Sequence, residues 1–349
     1  MKTRMTELFG IQHPIMLAGA NWLTEPGLVA AVSNAGGLGL LATAQFTPDE
    51  TRKNIRAVRE RTAKPFGINQ FLIGPGAKDN IAIALEERVP VINYSLGKPW
   101  FIDEAHAYGA KVIGTIALSK HARKAEQLGC DALVVTGHEA AAHGADATSL
   151  ILIPIVAESV IIPVIAAGGF LDGRGLAAAL ALGADGISMG TRFMLTKESR
   201  LHRTFKDMCI EASEEDTLYS SNFDGLPGRA LKNKPAERLM RCGVPFFESF
   251  PAALQVKDIL GLSVIDFVRL SISMLTAGED SRGLFMQARQ AIGARRHLLS
   301  IEKGDVEKGI LFAGQSMGGI HDEPTCDELI SRVVREAEEA IGRMNGLRK

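Results

Sequence analysis

The feature that most constrains this chain is a rhythm: from Pro14 to about Thr191, short apolar runs alternate with amphipathic stretches long enough to be helices. Strands covered on both faces read as unbroken apolar runs, which is what a parallel sheet wrapped by its own return helices requires. The strand candidates are Pro14–Ala18, Leu38–Ala42, Phe66–Phe71, Val91–Tyr94, Lys111–Ile116, Ala132–Thr136, Pro163–Ala167 and Gly186–Met189. Between them, Glu25–Ala35, Pro48–Thr62, Ser119–Leu128 and Gly173–Leu182 carry helical periodicity. About eight such units close a barrel, whereas a doubly wound open sheet usually stops near about six strands. The expected fold is therefore α/β, a (β/α)8 TIM barrel.

After Arg192 the rhythm breaks, and Leu201–Arg296 reads as helices and loops with scattered aromatics, Phe246, Phe247, Phe250 and Phe267. Residues 201–304 are expected to form a mostly helical appended substrate or lid domain, and residues 1–200 with 305–349 the barrel. Gly314, Gln315, Gly318 and Gly319 precede a strongly periodic segment, Thr325–Ile341, which is expected to pack back on the barrel as a helix. With 349 residues, 46% of them hydrophobic, the chain can bury a core of this size.

Charge narrows the partners. The 39 basic and 40 acidic residues are not segregated and leave a net charge of −1, so no footprint for nucleic acid or a membrane surface stands out. A small-molecule substrate is expected; a homodimer is left open. Lys2, Arg4 and Glu7 with no apolar run behind them speak against a secretory leader. No stretch approaches the ~20 apolar residues of a membrane helix. Cys130, Cys209, Cys242 and Cys326 are far apart and form no paired motif, so neither a metal site nor a disulfide framework is expected, and a cytoplasmic setting is the natural one.

Barrel active sites lie at the carboxyl ends of the strands. Two ends stand out: Ala166-Ala167-Gly168-Gly169-Phe170 after the seventh strand and Met189-Gly190-Thr191-Arg192-Phe193 after the eighth. Glycines there let backbone amides approach an anion, and a following helix start adds partial positive charge, so the pair reads as a phosphate cradle. The same doublets also serve tight strand-to-helix turns. Ala18, Gly19 and Ala20 after the first strand leave room for a flat ring against the backbone, and Asn69 at the end of the third strand offers an amide to a ring edge. A core asparagine bonded only to backbone is the plainer account of Asn69. Thr136-Gly137-His138-Glu139-Ala140-Ala141-Ala142-His143-Gly144 follows the sixth strand; its imidazoles can handle protons near neutral pH, or simply bond the loop.

These segments together resemble the nitronate monooxygenase (2-nitropropane dioxygenase) family, and also the flavin-dependent enoyl-ACP reductase II and bacterial NADH:quinone reductase groups. The resemblance rests on Gly168-Gly169-Phe170-Leu171-Asp172-Gly173-Arg174-Gly175, Leu182-Gly183-Ala184-Asp185 and Met189-Gly190-Thr191-Arg192-Phe193. Pro14-Ile15-Met16, Ser33-Asn34-Ala35-Gly36-Gly37-Leu38-Gly39 and Lys64-Pro65-Phe66-Gly67-Ile68-Asn69 agree with it. It spans Thr6 to about Glu198 and returns near Ala313-Gly314-Gln315. It implies an FMN flavoprotein in which Ala18, Gly19, Ala20, Asn69, Ala141, Ala167, Gly168, Gly169, Gly190, Thr191 and Gln315 hold the cofactor and His143 faces the substrate as the catalytic residue.

The activity so implied is oxidation of an alkyl nitronate, or of a nitroalkane deprotonated by His143, with O2 as second substrate. The alternative is an NAD(P)H-dependent flavin reductase of quinones or enoyl thioesters. A phosphate-binding barrel without redox function is a third reading. Two positions depart from the relatives: Thr115 stands where the quinone reductases carry a lysine, and Asn93-Tyr94-Ser95-Leu96-Gly97 replaces a Ser-Phe-His-Phe-Gly run of many nitronate monooxygenases. A barrel of the IMP dehydrogenase type needs a cysteine in the loop after the sixth strand, and that loop has none.

Overall fold

The computed structural model describes residues 1–74, 76–141, 143–242, 289–290 and 292–347. Eight parallel strands form one sheet: β1 (Ile15–Leu17), β2 (Gly39–Ala42), β3 (Phe66–Phe71), β4 (Val91–Ser95), β5 (Lys111–Ile116), β6 (Ala132–Thr136), β7 (Val164–Ala167) and β8 (Gly186–Met189). Neighbours in sequence are neighbours in the sheet, and β1 pairs with β8 in parallel. The remaining seam, between β1 and β2, is joined through Leu38, whose amide donates to Ile15 O and whose carbonyl accepts from Leu17 N, both at 2.9 Å. A (β/α)8 barrel results, and the eight strand segments fall where the apolar runs placed them, to within a residue or two at the ends.

The helices are α1 (Arg4–Phe9), α2 (Pro26–Asn34), α3 (Pro48–Arg59), α4 (Ala77–Glu86), α5 (Ile102–Ala107), α6 (Ala122–Gln127), α7 (Ser149–Ser159), α8 (Gly173–Ala181), α9 (Thr191–Met194), α10 (Arg203–Glu211) and α11 (Lys234–Cys242). Alternation along each strand sorts the core into two. Ile15, Leu17, Leu41, Ile68, Ile92, Leu133, Val135, Val164 and Ile187 point outward under the helices. Met16, Leu38, Leu40, Val91, Ile113, Ala132, Val134, Ile165 and Ala167 point inward, joined by Met5, Phe9 and Ile11 from α1 and the turn after it, which close the amino-terminal end of the barrel. The carboxyl end is the one left for chemistry.

The appended part is more mixed than its periodicity suggested. Besides α10 and α11 it contains an antiparallel hairpin, β9 (Thr217–Ser220) with β10 (Gly228–Leu231). Strands of four residues each are too short to show an alternating pattern. β10 continues into the returning chain, with Leu231 N donating to Leu311 O at 2.8 Å and Ala313 N to Arg229 O at 3.2 Å. Phe246, Phe247, Phe250 and Phe267 lie outside the described residues.

The C-terminal helix, Cys326–Gly346, is started by a capping box between Thr325 and Glu328 and packs across α8 and α2. Gly173, the first residue of α8, is where it comes closest: Glu336 Oε2 accepts from Gly173 N at 3.0 Å, and an added Cβ would lie 2.3 Å from Ala337 N and 2.4 Å from Val333 O. Backbone cannot yield as a side-chain tip does. Gly173→Ala is expected to destabilise the fold by about 1–3 kcal/mol, the usual range for overpacking, read as a lower urea midpoint at unchanged m-value. A midpoint equal to that of the parent would show that the two helices separate freely.

Candidate active site

Near the carboxyl end of the barrel the inward-pointing positions turn polar. Asn69, Asn93, Thr115, Thr136 and Ser188 follow the inward apolar layer and form the floor of a cavity of about 1710 Å³. Asn93 and Thr115, two departures noted in the sequence, satisfy one another: Thr115 Oγ1 lies 2.9 Å from Asn93 Nδ2 and 3.0 Å from its Oδ1. Ala18, Gly19, Ala20, Asn69, Ala141, His143, Ala167, Gly168, Gly169, Gly190 and Thr191 all line this cavity. Gln315 lines instead an adjoining recess of about 540 Å³ that shares Gly168, Gly169 and Phe170 with it. Ala142 lies outside the described residues.

The ends of β7 and β8 have the features of an anion cradle. Among the described residues the amides of Gly168, Gly169, Gly190 and Thr191 donate no backbone hydrogen bond. Gly168 and Gly169 have φ of 100° and 83°, a region that favours glycine, and so turn the chain sharply off β7. Packing also calls for one of them, since a Cβ on Gly168 would sit 3.0 Å from Gly137 O. Gly190 is different: a Cβ there would meet only Ala18 at 3.7 Å, so it faces open space. The loop backing the cradle is anchored by Glu139, whose carboxylate accepts from Ser149 N and Ser149 Oγ at 3.0 Å, while the same hydroxyl lies 2.8 Å from Gly168 O. Thr191 Oγ1 accepts from Gly314 N at 2.9 Å, and Gln315 N donates to Glu139 O at 2.9 Å, which brings the returning chain to the cradle.

The wall after β1 is flat because of a close contact: a Cβ on Gly19 would fall 2.3 Å from that of Asn69, whose Nδ2 lies 3.4 Å from Gly19 O. Trp22 and Leu96, non-glycine residues held at φ of 62° and 51°, both line the cavity. Backbone strain of this kind persists where surrounding structure over-determines it, and it clusters at sites.

A cavity with a phosphate-sized cradle on one side and a flat wall beside it has relatives. The profile of the family described as nitronate monooxygenase matches residues 2–336. The chain belongs to the nitronate monooxygenase family. Its relatives carry the names of monooxygenases and dehydrogenases, and the chain is accordingly an oxidoreductase. Over its whole length it is 36% identical to the (3aS,4S,5R,7aS)-5-hydroxy-7a-methyl-1-oxo-octahydro-1H-indene-4-carboxyl-CoA dehydrogenase of Rhodococcus jostii (strain RHA1), covering 99% of that protein. With the dehydrogenase of the same name from Mycobacterium tuberculosis it shares 37% identity, over 97% of this chain and 96% of the other. Among solved structures, FabK from Thermotoga maritima superposes with a TM-score of 0.83 at 34% identity, over 99% of each chain.

Within this family member the loop after β6 is clamped by the β9–β10 hairpin. Tyr219 Oη donates to Gly144 O at 3.0 Å, Arg229 Nη2 to His138 O at 3.1 Å, and the Tyr219 and His138 rings pack tilted at 53° with centroids 4.3 Å apart. His143 completes the clamp: Nδ1 lies 3.1 Å from Pro227 O and Nε2 3.2 Å from Asp224 Oδ2. Two acceptors facing two ring nitrogens favour the doubly protonated imidazolium. Burial on its own would lower the His143 pKa, but the Asp224 carboxylate and then the Pro227 carbonyl outweigh it and hold the pKa above the usual imidazole value.

Sequence reading did not single out Asp224, His297 or Phe312, which reach the same cavity from far along the chain. His297 is buried, hydrogen-bonds through Nδ1 to Ile310 O at 3.2 Å, and has its pKa pushed down by burial to about 4, so it is neutral at pH 7. Phe312 stands beside both rings, 6.3 Å from His143 and 5.3 Å from His297. One cavity thus faces an imidazole biased toward its charged form and a neutral one, an arrangement that separates donor from acceptor roles. Nothing local marks these residues; only their convergence does.

Because the His143 pKa is raised, the Asp224 contact stabilises the folded protein below the unfolded imidazole pKa, and that contribution is lost as pH rises through the folded value. Asp224→Asn is expected to move the NMR titration midpoint of His143 to lower pH. A midpoint that stays in place would show that Asp224 does not set the charge of this ring.

Proposed function

We propose that this protein is an FMN-dependent oxidoreductase acting on a bulky acyl-CoA thioester at the carboxyl end of its barrel. The observation that carries the reading is the size of the cavity, about 1710 Å³, against roughly 300–1,000 Å³ for pockets that enclose one drug-sized ligand. Such a space suits a flavin and a large second molecule together. The names of the Rhodococcus and Mycobacterium relatives, carboxyl-CoA dehydrogenases, favour the same substrate class.

When bound, FMN supplies an acceptor and donor of a hydride or of single electrons. Gly168, Gly169, Gly190 and Thr191 would hold its phosphate with their unpaired amides, and Ala18, Gly19, Ala20, Asn69, Ala141 and Ala167 would border the ring. Gln315 supports the cradle through its amide to Glu139 O. Residues 1–200 and 305–349 would form the flavin-binding barrel, and residues 201–304 the part that covers the substrate. His143 is assigned to proton transfer. For its imidazole to meet a substrate, Asp224 has to give up Nε2, so an incoming carbonyl or hydroxyl competes with that carboxylate. His297, neutral, can accept a hydrogen bond from a substrate hydroxyl.

A second reading, oxidation of alkyl nitronates with O2, is favoured by the family description and by His143 on the cavity wall, whose neutral form, reached once Nε2 gives up its proton, can take an α-proton. Anaerobic mixing separates the readings. Cyclic carboxyl-CoA thioesters carrying a ring hydroxyl should bleach the flavin under the first, and a nitronate should do so under the second. Bleaching by nitronate alone would overturn the thioester assignment.

The cofactor has its own test. The purified protein should be yellow and release FMN, not FAD, on denaturation. Gly190→Val would place bulk in the open part of the cradle, and loss of one charge-assisted contact should weaken FMN retention by roughly 10- to 100-fold while the barrel stays folded by circular dichroism. Release of FAD, or full flavin occupancy of the variant after dilution, would remove the basis for the cradle.

A further inference from the structure

The side of the cavity mouth across the barrel from the glycine cradle is cationic and partly apolar. Lys98 follows β4, and His121 and Lys124 follow β5; all three are exposed and line the cavity. The strand order puts these loops half a turn from the end of β8, so the group they face is not the flavin phosphate. Exposed lysines are usually no more than a solvated face, but two observations at the cavity rim set these apart. Among the described residues, none of these three side chains has a hydrogen bond or ion pair. Among the described residues that line the cavity, the one acid is Asp224, already engaged by His143.

Unpaired lysines around a low-dielectric opening, here Lys98 and Lys124, focus the field outward and concentrate anions at the entrance. Leu96 and Leu118, 36% and 37% exposed, sit among them and offer apolar contact beside the charge. We infer that Lys98, His121 and Lys124 bind the phosphates of an adenosine diphosphate arm, carried by a substrate whose reactive end reaches the flavin. Two sources share that arm, a coenzyme A thioester and NAD(P)H. The inference builds on the proposed flavin site but stands apart from the thioester assignment.

Flavin-loaded protein would be titrated calorimetrically with two pairs of probes, coenzyme A against pantetheine and NADPH against reduced nicotinamide mononucleotide. The parent should prefer the adenosine-bearing member of one pair by roughly 10- to 100-fold, with the preference shrinking as ionic strength rises. In the double variant Lys98→Ala with Lys124→Ala that preference should fall to a few-fold, while flavin content is retained; the charge-reversed pair Lys98→Glu with Lys124→Glu should abolish it. The pair that responds names the source. If neither preference exists, or both survive in the variants, the mouth does not bind the arm. If the coenzyme A preference follows the lysines yet no thioester bleaches the flavin, the mouth assignment holds and the thioester chemistry fails.

Discussion

Closure of the parallel sheet is the constraint from which the rest follows. A parallel strand left at an edge exposes a row of amides and carbonyls with no hairpin to cover it, and β1 is only three residues long. Leu38 resolves this by bonding both Ile15 and Leu17 across the seam, so that β1 is paired on both sides, with β8 and with the start of β2. Once the ring is closed, every loop that follows a strand opens on one rim. Residues as distant in sequence as Ala18, Asn69, Thr136 and Gly190 then border one space.

The same closure sets the chemistry of the interior. Inward positions alternate with outward ones, and the inward set is apolar from α1 up to the middle of the strands. Above that layer Asn69, Asn93, Thr115 and Ser188 present polar groups that an apolar core would leave unsatisfied. Asn93 and Thr115 meet this demand by pairing with each other, whereas the amides after β7 and β8 have no such partner. A cavity that keeps unpaired donors at one edge is prepared for an anion at that edge.

Charge at the site is divided by the appended hairpin. Its clamp on the loop after β6 sets Asp224 and Pro227 against His143 and stabilises the imidazolium, while burial keeps His297, also beside Phe312, neutral. The partners of His143 thus come from an element that the barrel does not contain.

By itself the sequence determined the barrel and the glycine turns on its rim, because both depend on short-range patterns. Runs such as Ala132–Thr136 are buried on both faces wherever they lie in a parallel sheet, so their apolar character shows in any window. Gly168 and Gly169 likewise mark a positive-φ turn that few other residues accept. The hairpin β9–β10 was not legible, since four residues carry no readable period, and neither was the backbone bond by which Gln315 meets Glu139 O. Asp224, His297 and the cationic mouth were decided by tertiary structure alone: each is an ordinary surface or helix residue in its own neighbourhood. Their roles arise from through-space electrostatics and from which groups a closed barrel and its appendage bring within a few ångströms, and no local pattern encodes a distance between residues eighty or more positions apart.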